Sequence, residues 1–147
     1  MKVFVDTSAL FALVTADDAN HRVARETWQV LLDEGATLLT SSYVVVEASG
    51  LFQARLGLEA VRALHENLLP VLTTVLVPRE THDLAVRILL AAGRRKLSLV
   101  DCTSFELMRR EGIDVAFAFD RHFEEQGFRR APRVPASGVH DRHRSRV

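Results

Sequence analysis

Four acidic residues stand where a carboxylate is awkward for packing and useful for holding a cation. Asp6 follows the apolar run Val3-Phe4-Val5, and Asp120 closes the run Val115-Ala116-Phe117-Ala118-Phe119. Both read as the last residue of a buried strand. Glu47 and Asp101 lie in helical segments. Positions three and four residues from Glu47 give Tyr43, Gly50, Leu51 and Ala54, and those around Asp101 give Leu97, Phe105 and Met108, so each acid shares a face with core-type neighbours. An unpaired carboxylate on a buried face protonates, finds a cation or binds a metal. Hard oxygen ligands without a thiolate cluster or a paired-histidine motif point to Mg²⁺ or Mn²⁺ rather than zinc. One or two such ions polarise a phosphate and activate a water, so a phosphodiester is the natural substrate.

The elements that must position these acids alternate between strand and helix. Strands are expected at Val3–Asp6, Thr37–Thr40, Val71–Val77 and Val115–Phe119. Helices are expected near Ala9–Val14, His21–Asp33, Leu58–Leu69, Glu80–Ala92 and Ser98–Arg110, with Ser41-Ser42 capping a further helix that carries Glu47. Gly57 separates that helix from Leu58–Leu69, which Pro70 ends, giving a helical hairpin. Apolar strands without alternation, separated by helices, indicate an α/β fold whose parallel sheet is covered on both faces. Ligands of such sheets bind at the carboxyl ends of the strands, where Asp6 and Asp120 fall.

The chain of 147 residues, 48% hydrophobic, is long enough for one domain with its own core. Its single cysteine, Cys102, excludes an internal disulfide and reads as a small core residue, so a cytoplasmic protein is expected. Asp6 inside the first apolar stretch argues against an export signal, and the stretch Leu68 to Val77 falls short of the roughly 20 residues that span a bilayer. No membrane segment is expected. The 19 basic and 19 acidic residues balance, but unevenly. Residues 129–147 hold Arg129, Arg130, Arg133, Arg142, Arg144 and Arg146 against Asp141 alone, leaving 13 basic and 18 acidic residues before them. The domain is expected over residues 1–132, with a basic tail over 133–147. In that tail His140 and His143 have a separation that suits a helical metal pair but read as solvated.

These residues together resemble a known family. Val5-Asp6-Thr7-Ser8-Ala9-Leu10, the helical Glu47, Leu97-Ser98-Leu99-Val100-Asp101 and Phe119-Asp120-Arg121-His122-Phe123 are similar in order, spacing and context to the PIN-domain ribonucleases, particularly VapC-like toxins of type II toxin–antitoxin pairs. The resemblance covers about residues 1–132. It implies a PIN-like three-layer fold with a central, mainly parallel sheet flanked by helices, and endonucleolytic hydrolysis of RNA dependent on Mg²⁺, with Mn²⁺ the alternative. Carried over by position, it implies that Asp6, Glu47, Asp101 and Asp120 are the catalytic, metal-holding acids and that Ser8 supports the first of them. It also implies a cognate antitoxin and a homodimer. Many relatives carry Thr or Ser two residues before the last aspartate, where this chain has Ala118, so a supporting hydroxyl is absent there.

Each residue also has a plainer reading. Asp6 serves as a turn or helix cap, Ser98-Leu99-Val100-Asp101 matches a capping box with Asp for Glu, Glu47 points to solvent if its helix is rotated, and Asp120-Arg121-His122 starts a helix. Arg94, Arg95, Lys96 and Arg121 are candidate RNA contacts, although a basic run is usually a solvated face. A receiver-type phosphotransfer site lacks its lysine, since Lys2 and Lys96 follow no late strand, and a dehalogenase-like phosphatase would pair two aspartates where this chain has Asp6-Thr7-Ser8. A housekeeping RNA-processing PIN nuclease and a non-catalytic RNA-binding PIN-like domain are the alternatives. Loss of one of the four acids would favour the latter, and all four are present.

Overall fold

A computed structural model describes residues 1–132. The chain runs β1 (Lys2–Val5), α1 (Thr7–Val14), α2 (His21–Asp33), β2 (Thr37–Ser41), α3 (Ser42–Leu56), α4 (Leu58–Ala63), β3 (Thr73–Val75), α5 (Arg79–Ala92), α6 (Leu99–Glu111), β4 (Val115–Phe117), α7 (His122–Glu125) and β5 (Arg129–Ala131). The five strands form one sheet in the order β3-β2-β1-β4-β5, and every pairing is parallel. Val3, Phe4 and Val5 are all fully buried, as are Ala116 and Phe117. Successive residues of a strand point to opposite faces, so burial of each one means that helices cover both faces of the sheet.

The order of the strands sets the position of the site. From β1 the chain moves outward through β2 to β3, then returns to place β4 and β5 on the other side of β1. The direction of travel therefore reverses between β1 and β4, and the crevice of such a sheet opens at the carboxyl ends of those two strands. The register there is Val5 opposite Phe117, and the Asp6 amide donates to the Phe117 carbonyl at 3.0 Å. Thr40 Oγ1 donates to the Val5 carbonyl at 2.8 Å, tying β2 to the same end.

Several boundaries differ from the sequence reading for identifiable reasons. β1 stops at Val5 because Asp6 leaves the strand to cap α1. β4 stops at Phe117, so Asp120 lies in the connection three residues beyond it. The strand expected over Val71–Val77 shortens to Thr73–Val75, because Leu69–Val71 winds as a 3-10 turn around Pro70. The helix expected over Leu58–Leu69 is α-helical only to Ala63 and continues as a π turn over Leu64–Leu68, which buries Leu64 and leaves His65 and Glu66 outside. Of the apolar side chains on this hairpin, Phe52 and Leu64 are core residues rather than surplus surface, while Leu56 is 38% exposed. Strand β5 was not expected at all. Arg129 and Arg130, counted by charge with the basic tail, form this edge strand, and the Arg130 guanidinium closes a 2.7 Å ion pair with Glu124. The expectations for residues 133–147, including His140 and His143, lie outside the described residues.

Candidate functional site

Asp6 is placed by the end of β1. Its side chain caps α1 by accepting the Ser8 amide at 3.2 Å, and Ser8 Oγ donates to the same Oδ2 at 2.6 Å. The Phe119 amide in turn donates to Ser8 Oγ at 3.0 Å. One hydroxyl thus joins the carboxylate after β1 to the connection after β4, and it does so beside Ala118, where a hydroxyl was lacking. Asp6 is only 5% exposed. Burial, less the help of the Ser8 bonds and with added repulsion from Asp101 and Glu47, pushes its carboxyl up to about 7.

Asp101 sits at the third position of α6 in a complete capping box. Its amide donates to Ser98 Oγ at 3.0 Å, and its Oδ2 accepts the Ser98 amide at 3.1 Å. The plain reading and the functional placement coexist, because the same Oδ2 that caps the helix lies 3.6 Å from His122 Nδ1, on the side of the other acids. Burial raises the Asp101 carboxyl, the Ser98 amide opposes this, and Asp120 adds repulsion. At the far end of α6, Gly112 at φ +68° takes the left-handed cap that turns the chain toward β4.

Glu47 lies in the second turn of α3, half-buried. The helix is rotated from the expected stripe: Val44, Ala48 and Phe52 form its buried face, Gly50 and Ala54 are exposed, and Glu47 borders the core. Burial raises its carboxyl, the Thr7 hydroxyl beside it opposes the rise, and Asp101 and Asp120 repel it. Asp120 Oδ1 accepts the His122 amide at 2.9 Å, an Asx turn that opens the way into α7, so its plain role as a helix start is also present. The four acids come from separate segments, yet each feels the charge of at least one other.

One member of this group was not anticipated. His122 Nδ1 is 3.2 Å from Asp120 Oδ1 and 3.6 Å from Asp101 Oδ2. Donor atoms of Asp101, Asp120 and His122 all lie within 4.8 Å of one another, close enough to share one ion. A lone histidine two residues after an aspartate has no helical ligand spacing, so the only signal in the sequence was its place in Asp120-Arg121-His122. The candidate RNA contacts surround the site less closely. Arg94, Arg95 and Lys96 form an exposed turn leading into α6, with Arg94 paired to Glu125 at 3.1 Å, and Arg121 is half-buried beside Asp120.

The residues fit a divalent cation. Carboxyls that repel one another and resist ionisation need a positive charge, and beside two of them His122 Nδ1 is buried without a hydrogen bond of good geometry. A polar atom so placed among carboxylates is one that a bound cation would satisfy.

Comparison with known proteins agrees with this geometry. The family model for the PIN domain matches residues 3–129. A curated relative, the 23S rRNA-specific endonuclease VapC20 of Mycobacterium tuberculosis, is 37% identical over 129 residues, spanning 86% of this chain and 95% of the relative. The crystal structure of Mycobacterium tuberculosis VapC20, described as a sarcin–ricin loop cleaving toxin, superposes with a TM-score of 0.77 at 35% identity, covering 86% of this chain and 95% of that one. VapBC2 from Rickettsia felis, solved bound to a promoter DNA fragment, shares the fold with a TM-score of 0.67 at 12% identity, over 88% of this chain and 97% of that one. With its parallel sheet, its crevice at β1 and β4 and this match over nearly all the described residues, the chain belongs to the PIN-domain family.

Proposed function

We propose that this protein is a metal-dependent endoribonuclease acting as the toxin of a toxin–antitoxin pair, with Asp6, Glu47, Asp101 and Asp120 as its metal-holding, catalytic acids. The observation that supports the reading is the cluster of Asp101, Asp120 and His122 donor atoms within 4.8 Å, with Asp6, Glu47 and Asp101 raised above their ordinary ionisation range by burial and by repulsion among the acids. The domain is taken as residues 1–132, with 133–147 as a basic tail.

Mg²⁺ is the favoured ion and Mn²⁺ the alternative, since the donors are chiefly hard oxygens. A bound divalent ion supplies Lewis acidity, lowering the ionisation point of a water and stabilising charge on the phosphate. The chain's own residues do the rest. Ser8 fixes Asp6 in one orientation and keeps the β4 connection against it. Ser98 holds the Asp101 carboxylate in one orientation, with Oδ2 toward His122. Arg94, Arg95, Lys96 and Arg121 are the proposed phosphate contacts, exposed or half-buried cations that would set register without reading bases.

The VapC20 relative acts on 23S rRNA, and at 37% identity over most of both chains its substrate is the first to test here. A cognate antitoxin and a second copy of the chain are the expected protein partners. Val46, adjacent to Glu47, is 72% exposed, and Leu58, past the far end of α3, is 68% exposed, leaving apolar surface on the helical hairpin for one of them. No described helix is long and apolar enough to cross a membrane, and the cytoplasm, where ribosomes reside, is the proposed place of action.

The test is cleavage of an RNA oligomer carrying the sarcin–ricin loop by purified protein with Mg²⁺ or Mn²⁺. A discrete cut that EDTA and Asp6→Asn both abolish is expected. Undiminished cleavage by Asp6→Asn in EDTA would remove the mechanism. Specific cleavage of another RNA, without growth inhibition on expression, would leave a housekeeping nuclease as the better description.

A further inference from the structure

We propose that His122 is a direct nitrogen donor to the ion in this crevice and raises the site's affinity for Mn²⁺ above what its oxygen donors alone would give. The inference rests on the metal-dependent reading above and adds a ligand of different chemistry to it. Neighbouring donors around an octahedral ion with bonds of about 2.1 Å are about 3 Å apart. His122 Nδ1 stands 3.2 Å from Asp120 Oδ1 and 3.6 Å from Asp101 Oδ2, close to that spacing without the ion.

At this nitrogen the imidazole lies within ion-pair distance of both carboxylates but makes no hydrogen bond of good geometry. Its side chain is 15% exposed and Nδ1 is buried. A nitrogen lone pair directed among oxygen donors explains the arrangement. Imidazole suits first-row transition ions, whereas Mg²⁺ prefers oxygen and retains its waters, so a nitrogen in the set separates the two ions.

The test uses the full chain loaded with Mn²⁺ and carrying isotope-labelled histidine. Electron spin echo modulation should show a directly coordinated nitrogen in the wild type and none in His122→Gln. By titration calorimetry, His122→Gln and His122→Ala should lose about tenfold or more in Mn²⁺ affinity and much less in Mg²⁺ affinity. A wild-type spectrum without nitrogen coupling overturns the nitrogen donor whether or not the variants fold. Unchanged Mn²⁺ affinity in a folded His122→Gln does the same. In both cases a wild type that binds the ions, with Asp6→Asn losing them, leaves the carboxylate site standing. A wild type that binds neither ion overturns both readings.

Discussion

Asp6→Asn should do more than silence the proposed nuclease: in the absence of metal it should make the protein more stable at neutral and alkaline pH. The Asp6 carboxyl rises from an ordinary 3.8 to about 7 on folding, with burial the largest cause. A group whose folded value is raised binds more protons when folded, so stability falls as pH rises from about 4 to about 7. At about 1.4 kcal/mol per pH unit, this amounts to about 4 kcal/mol, an upper bound because the neighbouring acids share the repulsion. The penalty is absent below pH 4, where Asp6 is protonated in both states. Asparagine keeps an oxygen to accept the two Ser8 hydrogen bonds and removes the charge that Asp101 and Glu47 repel. Urea unfolding in EDTA between pH 4 and 8 measures the difference between variant and wild type, so titration of other groups largely cancels. The gap should widen in favour of the variant by roughly 2–4 kcal/mol across that range. Adding Mn²⁺ at pH 8 should then raise wild-type stability and leave Asp6→Asn nearly unmoved, because only a folded site that binds the ion gains from it. A gap that stays constant from pH 4 to 8 would refute the buried, repelled carboxyl on which the site argument depends.

Other positions give separate tests. Ser8→Ala leaves the Phe119 amide without its partner and takes from Asp6 Oδ2 one of its two hydrogen bonds, so it should cost about 1–3 kcal/mol by chemical denaturation and lower the apparent affinity for Mn²⁺. Ser98→Ala removes the hydroxyl half of the α6 cap, and a loss of about 1 kcal/mol with weaker metal binding is expected in the same two assays. Replacing Arg94, Arg95 and Lys96 together by Gln should weaken RNA binding at low salt and flatten its dependence on salt concentration, measured by fluorescence anisotropy, while the cleavage position stays the same. Deleting residues 136–147, which removes Arg142, Arg144 and Arg146, should act in the same direction, and an unchanged affinity and salt slope would deny the tail a part in binding.

What could be read from the sequence follows from how many independent constraints bear on each residue. Asp6 and Asp101 are each announced twice, once by an apolar context that a carboxylate violates and once by a local hydrogen-bond pattern. The second signal survives in the structure as the α1 cap and the α6 capping box. The parallel sheet was legible because Val3-Phe4-Val5 and Val115-Ala116-Phe117 must be covered on both sides, which few topologies achieve. Glu47 was found by counting, but the face was misjudged by a fraction of a turn. Small residues such as Gly50 and Ala54 fit a core or a surface equally well, and only packing of Val44, Ala48 and Phe52 against the sheet decides between them. Strand β5 escaped because its pairing is long-range. Arg129 and Arg130 have no apolar pattern, and they become a strand only because β4 offers a free edge and Glu124 a partner. His122 escaped for the same reason on a smaller scale. Its meaning comes from the carboxylates of Asp101 and Asp120, brought to it by α6 and by the turn after β4, and no local spacing encodes that meeting. Local chemistry thus marks the residues that begin or end an element, while those that complete the site through tertiary contact stay silent until the sheet has assembled.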